Sequence, residues 1–99
     1  MNEKLAELRK KSMSLPLEPG VYIMKNKQGK IIYIGKAKKL KNRVSSYFGS
    51  NKQHTLKVIK MVEQVYDFDY IICDTELEAL LLECSLIKQH SPKYNILLK

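Results

Sequence analysis

Residues 20–35 read GVYIMKNKQGKIIYIG, and this stretch decides the fold. Gly20 to Met24 and Ile31 to Ile34 are both rich in β-branched and aromatic residues. Between them, Asn26-Lys27-Gln28-Gly29 supplies turn chemistry. Two short β-rich runs around a polar, glycine-containing turn predict a β-hairpin, closed at Gly35. Opposed strands would bring Tyr22 and Tyr33 together at one end of the sheet. Aromatic cross-strand pairs commonly serve packing, so packing is the plain reading of this pair. Gly35 leads into Lys36-Ala37-Lys38-Lys39-Leu40-Lys41-Asn42-Arg43 and permits a close backbone approach there.

Outward from the hairpin the period changes. Leu40, Val44, Tyr47 and Phe48 recur at i, i+4, i+7 and i+8, which predicts a helix over 38–48. Gly49-Ser50-Asn51 breaks it. A second helix is predicted over 55–65, with Leu56, Ile59 and Val62 on one stripe and Val58 and Met61 beside it. Residues 66–73 alternate like a strand. Thr75-x-x-Glu78 is a capping-box signature opening a long helix to about Gln89 or His90, which Pro92 ends. Upstream, residues 1–11 favour helix through Leu5 and Leu8, and 12–19, with two prolines, read as a loop. The order is α, β-hairpin, α, α, β, α. It predicts a small α+β domain with a three-stranded, mainly antiparallel sheet flanked by helices.

The chain has 99 residues, 44% of them hydrophobic, and a formal charge of +8. That length suits one domain with one modest core, not two. No apolar run approaches a membrane span, and the charged start, MNEKLAELRKKS, is not a secretory signal. A cytoplasmic setting without a membrane partner is therefore expected. Cys73 and Cys84 have no metal-site spacing and are expected to be buried thiols. The charge is segregated: residues 19–62 hold ten lysines and Arg43 and no carboxylate. Residues 63–87 hold seven carboxylates and no Lys or Arg. A basic block of this kind fits a polyanion, since phosphate binding releases counterions; a merely solvated lysine-rich surface is the alternative.

Glu83 is the oddest residue. At 100° per residue it falls opposite Glu78, Ser85 and Lys88, among Ala79, Leu80, Leu86 and Ile87. A carboxylate there needs a partner. An ion pair with a lysine or arginine would satisfy it; so would a role as metal ligand or general acid/base. Glu76, in the first helical turn, is assigned to stability through the helix dipole. Arg43 is the only arginine among those lysines, one helical turn before Tyr47, and offers a bidentate fork for phosphate. No phosphate-binding glycine loop, histidine metal pair or serine triad is present in the sequence.

These residues together resemble the GIY-YIG nuclease family. The pair Gly20-Val21-Tyr22 and Tyr33-Ile34-Gly35 looks like its signature hairpin, with Val in place of Ile. Arg43 and Glu83 match its other two hallmark positions. YIGKAKKLKNRVSSYF (33–48) and ELEALLLECSLIKQHSPKYNILLK (76–99) resemble the N-terminal endonuclease domains of the UvrC branch, from bacterial nucleotide excision repair. The resemblance covers nearly the whole chain. It implies a single endonuclease domain, expected to be monomeric alone and excised from a longer multidomain protein.

The implied reaction is hydrolysis of one phosphodiester on the 3′ side of a lesion in damaged double-stranded DNA, with one Mg²⁺ or Mn²⁺. The implied partner is a UvrB–DNA complex, engaged through other domains. By the same resemblance Glu83 would hold the cation, Arg43 would stabilise phosphate charge, and Tyr33 would activate water with Tyr22 orienting it. A free tyrosine is ionised only to about one part in a thousand at pH 7, so nearby Lys36 and Arg43 are expected to lower the Tyr33 pKa. Lys36, Lys38, Lys39 and Lys41 would bind substrate, with Tyr47 and Asn95 as positioning residues. The competing readings are a non-catalytic basic DNA-binding module and a GIY-YIG nuclease of another branch.

Overall fold

The hairpin turn is built by Asn26. In a computed structural model describing residues 2–49 and 54–97, its side-chain oxygen accepts the N–H groups of Gln28 and Lys30, at 3.1 and 2.9 Å. Gly29 takes the left-handed conformation, φ +81°, which a side chain would resist. The flanking strands β1 (Gly20–Lys25) and β2 (Ile31–Ala37) pair antiparallel, with Tyr22 opposite Gly35 and Met24 opposite Tyr33. The register slips between Met24 and Lys25, so consecutive Ile32 and Tyr33 pack into the same cluster.

The other elements follow in chain order: α1 (Leu5–Met13) before the hairpin, then α2 (Leu40–Tyr47), α3 (Leu56–Gln64), β3 (Asp67–Ile72), α4 (Glu76–His90) and α5 (Lys93–Leu97). The sheet order is β2-β1-β3, all antiparallel. The α+β class with a three-stranded sheet stands. Each face of the sheet covers its own core. On one, Tyr22, Met24 and Phe68 pack with Leu8, Leu40, Val44, Phe48, Met61 and Val62. On the other, Val21 and Ile34 pack with Cys73 and Ala79, supported by Leu82, Leu86 and Ile87 of α4.

Several expectations shift. The first helix begins later and runs through Met13, because Ser12 is buried and returns its hydroxyl to Arg9 O at 2.7 Å. The buried stripe of α3 is Met61 and Val62, with Val58 beside them, while Leu56 is exposed. On β3 only Phe68 is buried: β3 is an edge strand, and α4 lies over β2 and β1. Thr75 caps α4, its hydroxyl accepting the Glu78 N–H at 3.1 Å. Ser91, at φ 44°, turns the chain left-handed, and the short α5 follows, which the sequence pattern did not announce. Cys73 is buried as expected, but Cys84 is exposed. Residues 50–53, holding part of the predicted break, lie outside the described residues.

Candidate active site

Three tyrosines meet where the sheet joins α2. Tyr22 and Tyr33, diagonal across the hairpin, have ring centres 6.2 Å apart. Tyr47, one face of α2 away, lies 5.7 Å from Tyr22 and 6.5 Å from Tyr33. The Tyr22 and Tyr47 hydroxyls share a buried hydrogen bond of 2.7 Å. Gly35 makes the packing possible, because a Cβ there would overlap the end of the Tyr22 ring. This is the close approach expected at Gly35, and its partner is the tyrosine of the opposite strand.

Arg43 projects from α2 over the Tyr47 ring, 5.2 Å from its centre, within cation–π range. Burial works against its charge, but the Tyr22, Tyr47 and Tyr33 oxygens outweigh it and raise the Arg43 pKa. Tyr22 is pushed well above the ordinary tyrosine value, first by burial and then by Tyr47 and Tyr33. Burial, aided by Tyr47, pushes Tyr33 up to about 12; Arg43 pulls the other way and loses. The expected lowering of the Tyr33 pKa is thus overturned, because desolvation outweighs the pull of Arg43. Arg43 acts in the expected direction, and Lys36 is not a main influence.

Glu83 faces this cluster from α4. Its Oε2 accepts the backbone N–H of Lys36 at 2.8 Å. Among the described residues its hydrogen-bond partner is a backbone N–H at the free edge of β2, not the lysine or arginine side chain that an ion pair would have supplied. The same edge is tied down by Asn95, whose amide accepts from Ile34 N–H at 2.8 Å and donates to Ile34 O at 2.7 Å. Asn95 therefore seats α5 against β2, assisted by Tyr94 in the main core. Among the described residues no group of three or more His, Cys, Asp or Glu could hold a metal. Any cation at Glu83 would rest on one carboxylate and water, a donor set that suits Mg²⁺.

Lys36, Lys38 and Lys39 line a groove of about 820 Å³ together with Arg43. Lys41 does not line it; it projects from another side of α2, so the structure does not bring it to the site. Glu76 does reach the groove, with Lys38 Nζ 3.9 Å from its carboxylate, a position that its assignment to helix stability had not anticipated. His54 was missed as well. It stacks on Tyr47, ring centres 6.0 Å apart and 15° from parallel, with Nε2 2.8 Å from Ser46 O. No spacing in the sequence could have signalled that contact.

Residues 18–96 match a family model described as the UvrC-like GIY-YIG domain. This chain belongs to that family. It is 64% identical over 85 residues to the UvrABC system protein C of Clostridium beijerinckii, covering 86% of this chain and 14% of that protein. It is 57% identical over 93 residues to the protein of the same name from Caldanaerobacter subterraneus, covering 94% of this chain and 15% of the relative. The chain thus spans about one-seventh of the length of such relatives. In three dimensions it matches the GIY-YIG N-terminal endonuclease domain of UvrC from Thermotoga maritima, bound to its catalytic cation, magnesium. The TM-score is 0.79 at 48% identity, over 95% of this chain and 98% of that domain. Related structures of the Thermotoga domain, also with the divalent cation, carry single Tyr→Phe or Asn→Ala substitutions. No described helix of this family member is long and apolar enough to cross a membrane.

Proposed function

We propose that this domain is a divalent-cation-dependent endonuclease that hydrolyses one DNA phosphodiester on the 3′ side of a lesion, in nucleotide excision repair. One observation carries the reading: a Glu83 carboxylate fixed on the Lys36 N–H and the Arg43 guanidinium both act on Tyr33, within a cluster of three tyrosines. The magnesium-bound Thermotoga domain of the same fold supports it. So does the choice of residues varied there, tyrosines and an asparagine, the types that converge here as Tyr22, Tyr33, Tyr47 and Asn95.

Glu83 would hold Mg²⁺ or Mn²⁺, and a cation bound there supplies Lewis-acid charge to the phosphate and the leaving oxygen. Arg43 offers its fork to the non-bridging phosphate oxygens, where charge grows in the transition state. Its contact with Tyr47 holds the guanidinium in place before substrate arrives. Tyr33 is the residue that takes the proton from attacking water at its phenolic oxygen. With its pKa raised to about 12, it is neutral at rest. Its ionised form, the form that can accept that proton, would be favoured by the positive charge of a divalent cation held by Glu83. Tyr22 orients this group through the Tyr47 hydroxyl. Lys36, Lys38 and Lys39 attract the strand, while Asn95 holds the β2 edge that carries Glu83's donor.

The relatives' name places them in the UvrABC system. The corresponding substrate is damaged double-stranded DNA in a UvrB–DNA complex, engaged through regions of the longer relatives outside the stretch matched here. The test is incision of a lesion-containing duplex with the partner proteins and Mg²⁺, comparing the parent with Glu83→Ala and Tyr33→Phe. Loss of the 3′ cut in folded variants supports the proposal; unchanged cutting in both defeats it.

A further inference from the structure

The groove holding Arg43 runs between α2 and the first turns of α4. Its two walls differ in chemistry. Toward α2 it is cationic, with Lys38 and Lys39 one helical turn or slightly more before Arg43. Toward α4 it is mostly apolar, Leu77, Ala79 and Leu80, with the Glu76 carboxylate at its mouth. Leu80 lies three residues before Glu83 and Leu77 three before that, so a strip runs along α4 outward from Glu83. These leucines are unusually open for their type, Leu77 65% and Leu80 39% exposed. The only ion pair across the groove mouth among the described residues, Lys38 with Glu76, is long and solvent-exposed on both sides, so it holds the lysine weakly.

We infer that this groove is the subsite for the nucleotide next to the scissile phosphate on the cleaved strand. The neighbouring phosphate sits against Lys38 and Lys39, and its sugar and base edge lie on Leu77 and Leu80. This rests on the endonuclease reading above. A strand whose scissile phosphate lies against Arg43 must leave that point along one of few directions, and the groove offers one, from Arg43 to Ala79 and Leu80 one turn before Glu83. A protein segment filling the groove would need carboxylates spaced to match the lysines and apolar groups on its other side. A nucleic-acid strand has that arrangement in every residue, an anionic backbone on one side and a flat, weakly polar base on the other. Aliphatic contacts read no hydrogen-bond pattern, so the subsite grips without selecting sequence.

The experiment measures binding of a short single-stranded DNA oligonucleotide to this chain by fluorescence anisotropy, without divalent cation, between 50 and 200 mM salt. The variants are Leu77→Ser/Leu80→Ser and Lys38→Ala/Lys39→Ala, with Leu77→Gln alone as a milder change at the most exposed position. Leu77→Ser/Leu80→Ser is expected to weaken binding about fivefold to tenfold at every salt concentration, with the salt slope unchanged. Lys38→Ala/Lys39→Ala is expected to reduce that slope by about 0.7 per lost phosphate contact. Leucine variants that bind like the parent overturn the inference. So does a leucine variant that keeps DNA binding but loses self-association in ultracentrifugation, which would make the face a protein contact. If the parent binds the oligonucleotide, and cuts the lesion duplex in the separate Mg²⁺ assay, while the leucines are indifferent, only the subsite falls. If the parent neither binds nor cuts, the endonuclease reading falls first.

Discussion

Glu83 is held by the backbone of Lys36, across 47 residues of sequence, through a 2.8 Å hydrogen bond from that N–H. A backbone donor orients the carboxylate without neutralising it. An ion pair in the same place would have spent the charge that a cation needs. The arrangement also couples α4 to the free edge of β2, so the hairpin signature and the distant glutamate act as one unit.

Removing that charge should abolish both cation binding and cutting. Glu83→Gln keeps an oxygen for the Lys36 N–H, so its stability should stay within about 0.5 kcal/mol of the parent. Incision should fall at least about a hundredfold. The parent should gain thermal stability on adding Mg²⁺, and the variant should not. Paired melts with and without Mg²⁺ check this.

The Tyr22–Tyr47 hydroxyl pair should show strong coupling. Each single Tyr→Phe change strands one buried hydroxyl, at a cost of about 1–3 kcal/mol. Removing both leaves no orphan, so the double variant should lose less than the sum of the singles. Urea melts of the four proteins measure this, and incision assays should show all three variants impaired.

Alkali should unfold the protein in a defined window. A phenol whose folded pKa is raised binds its proton more tightly folded than unfolded. Stability from Tyr33 is then fully present below about pH 10 and is lost as pH rises toward about 12. Tyr22 is shifted in the same direction. Thermal melts in EDTA from pH 9 to 12, followed with phenolate absorbance, should show Tyr22→Phe declining less steeply than the parent. Equal slopes would contradict the shift.

Asn95→Ala should loosen the β2 edge. It leaves the Ile34 N–H and carbonyl without their side-chain partner, at a cost of about 1–3 kcal/mol. Hydrogen exchange at Ile34 should speed up first, and incision should fall through misplacement of Glu83 rather than loss of a reacting group. Intact exchange protection at Ile34 would argue against this account.

Gly35→Ala should act on Tyr22. The new methyl has to displace the buried ring, costing about 1–3 kcal/mol. The same change at Gly29, which has open space around it, should disturb only the turn. Chemical denaturation of the two variants compares them directly, and incision should fall only for Gly35→Ala.

Much of this was legible in residue types and spacing. The turn at Asn26–Gly29, the period of α2 and the Thr75 cap are local matters, set by interactions within a few residues. Glu83 stood out because a carboxylate on an apolar helix face violates a simple burial rule. The edge strand was less legible: Tyr70, Ile71 and Ile72 look like core in sequence and lie exposed, because α4 crosses β2 and β1 instead. Lys41 looked equivalent to Lys38 and Lys39 until the helix turned it away.

Local spacing was enough for the hairpin, the four longer helices and the segregated charge, and it made Glu83 stand out; the resemblance to the family made hallmarks of Tyr22, Tyr33, Arg43 and Glu83. Their partners came from the folded chain, as did the pKa shifts of the two tyrosines and Arg43. Burial raised Tyr33, which nearby cations were expected to lower, and raised Tyr22 with it. His54 reached Tyr47, Asn95 reached Ile34, and two leucines came to face two lysines across a groove. Desolvation and long-range hydrogen bonds depend on which distant segments meet, and only the path of the chain through space sets that.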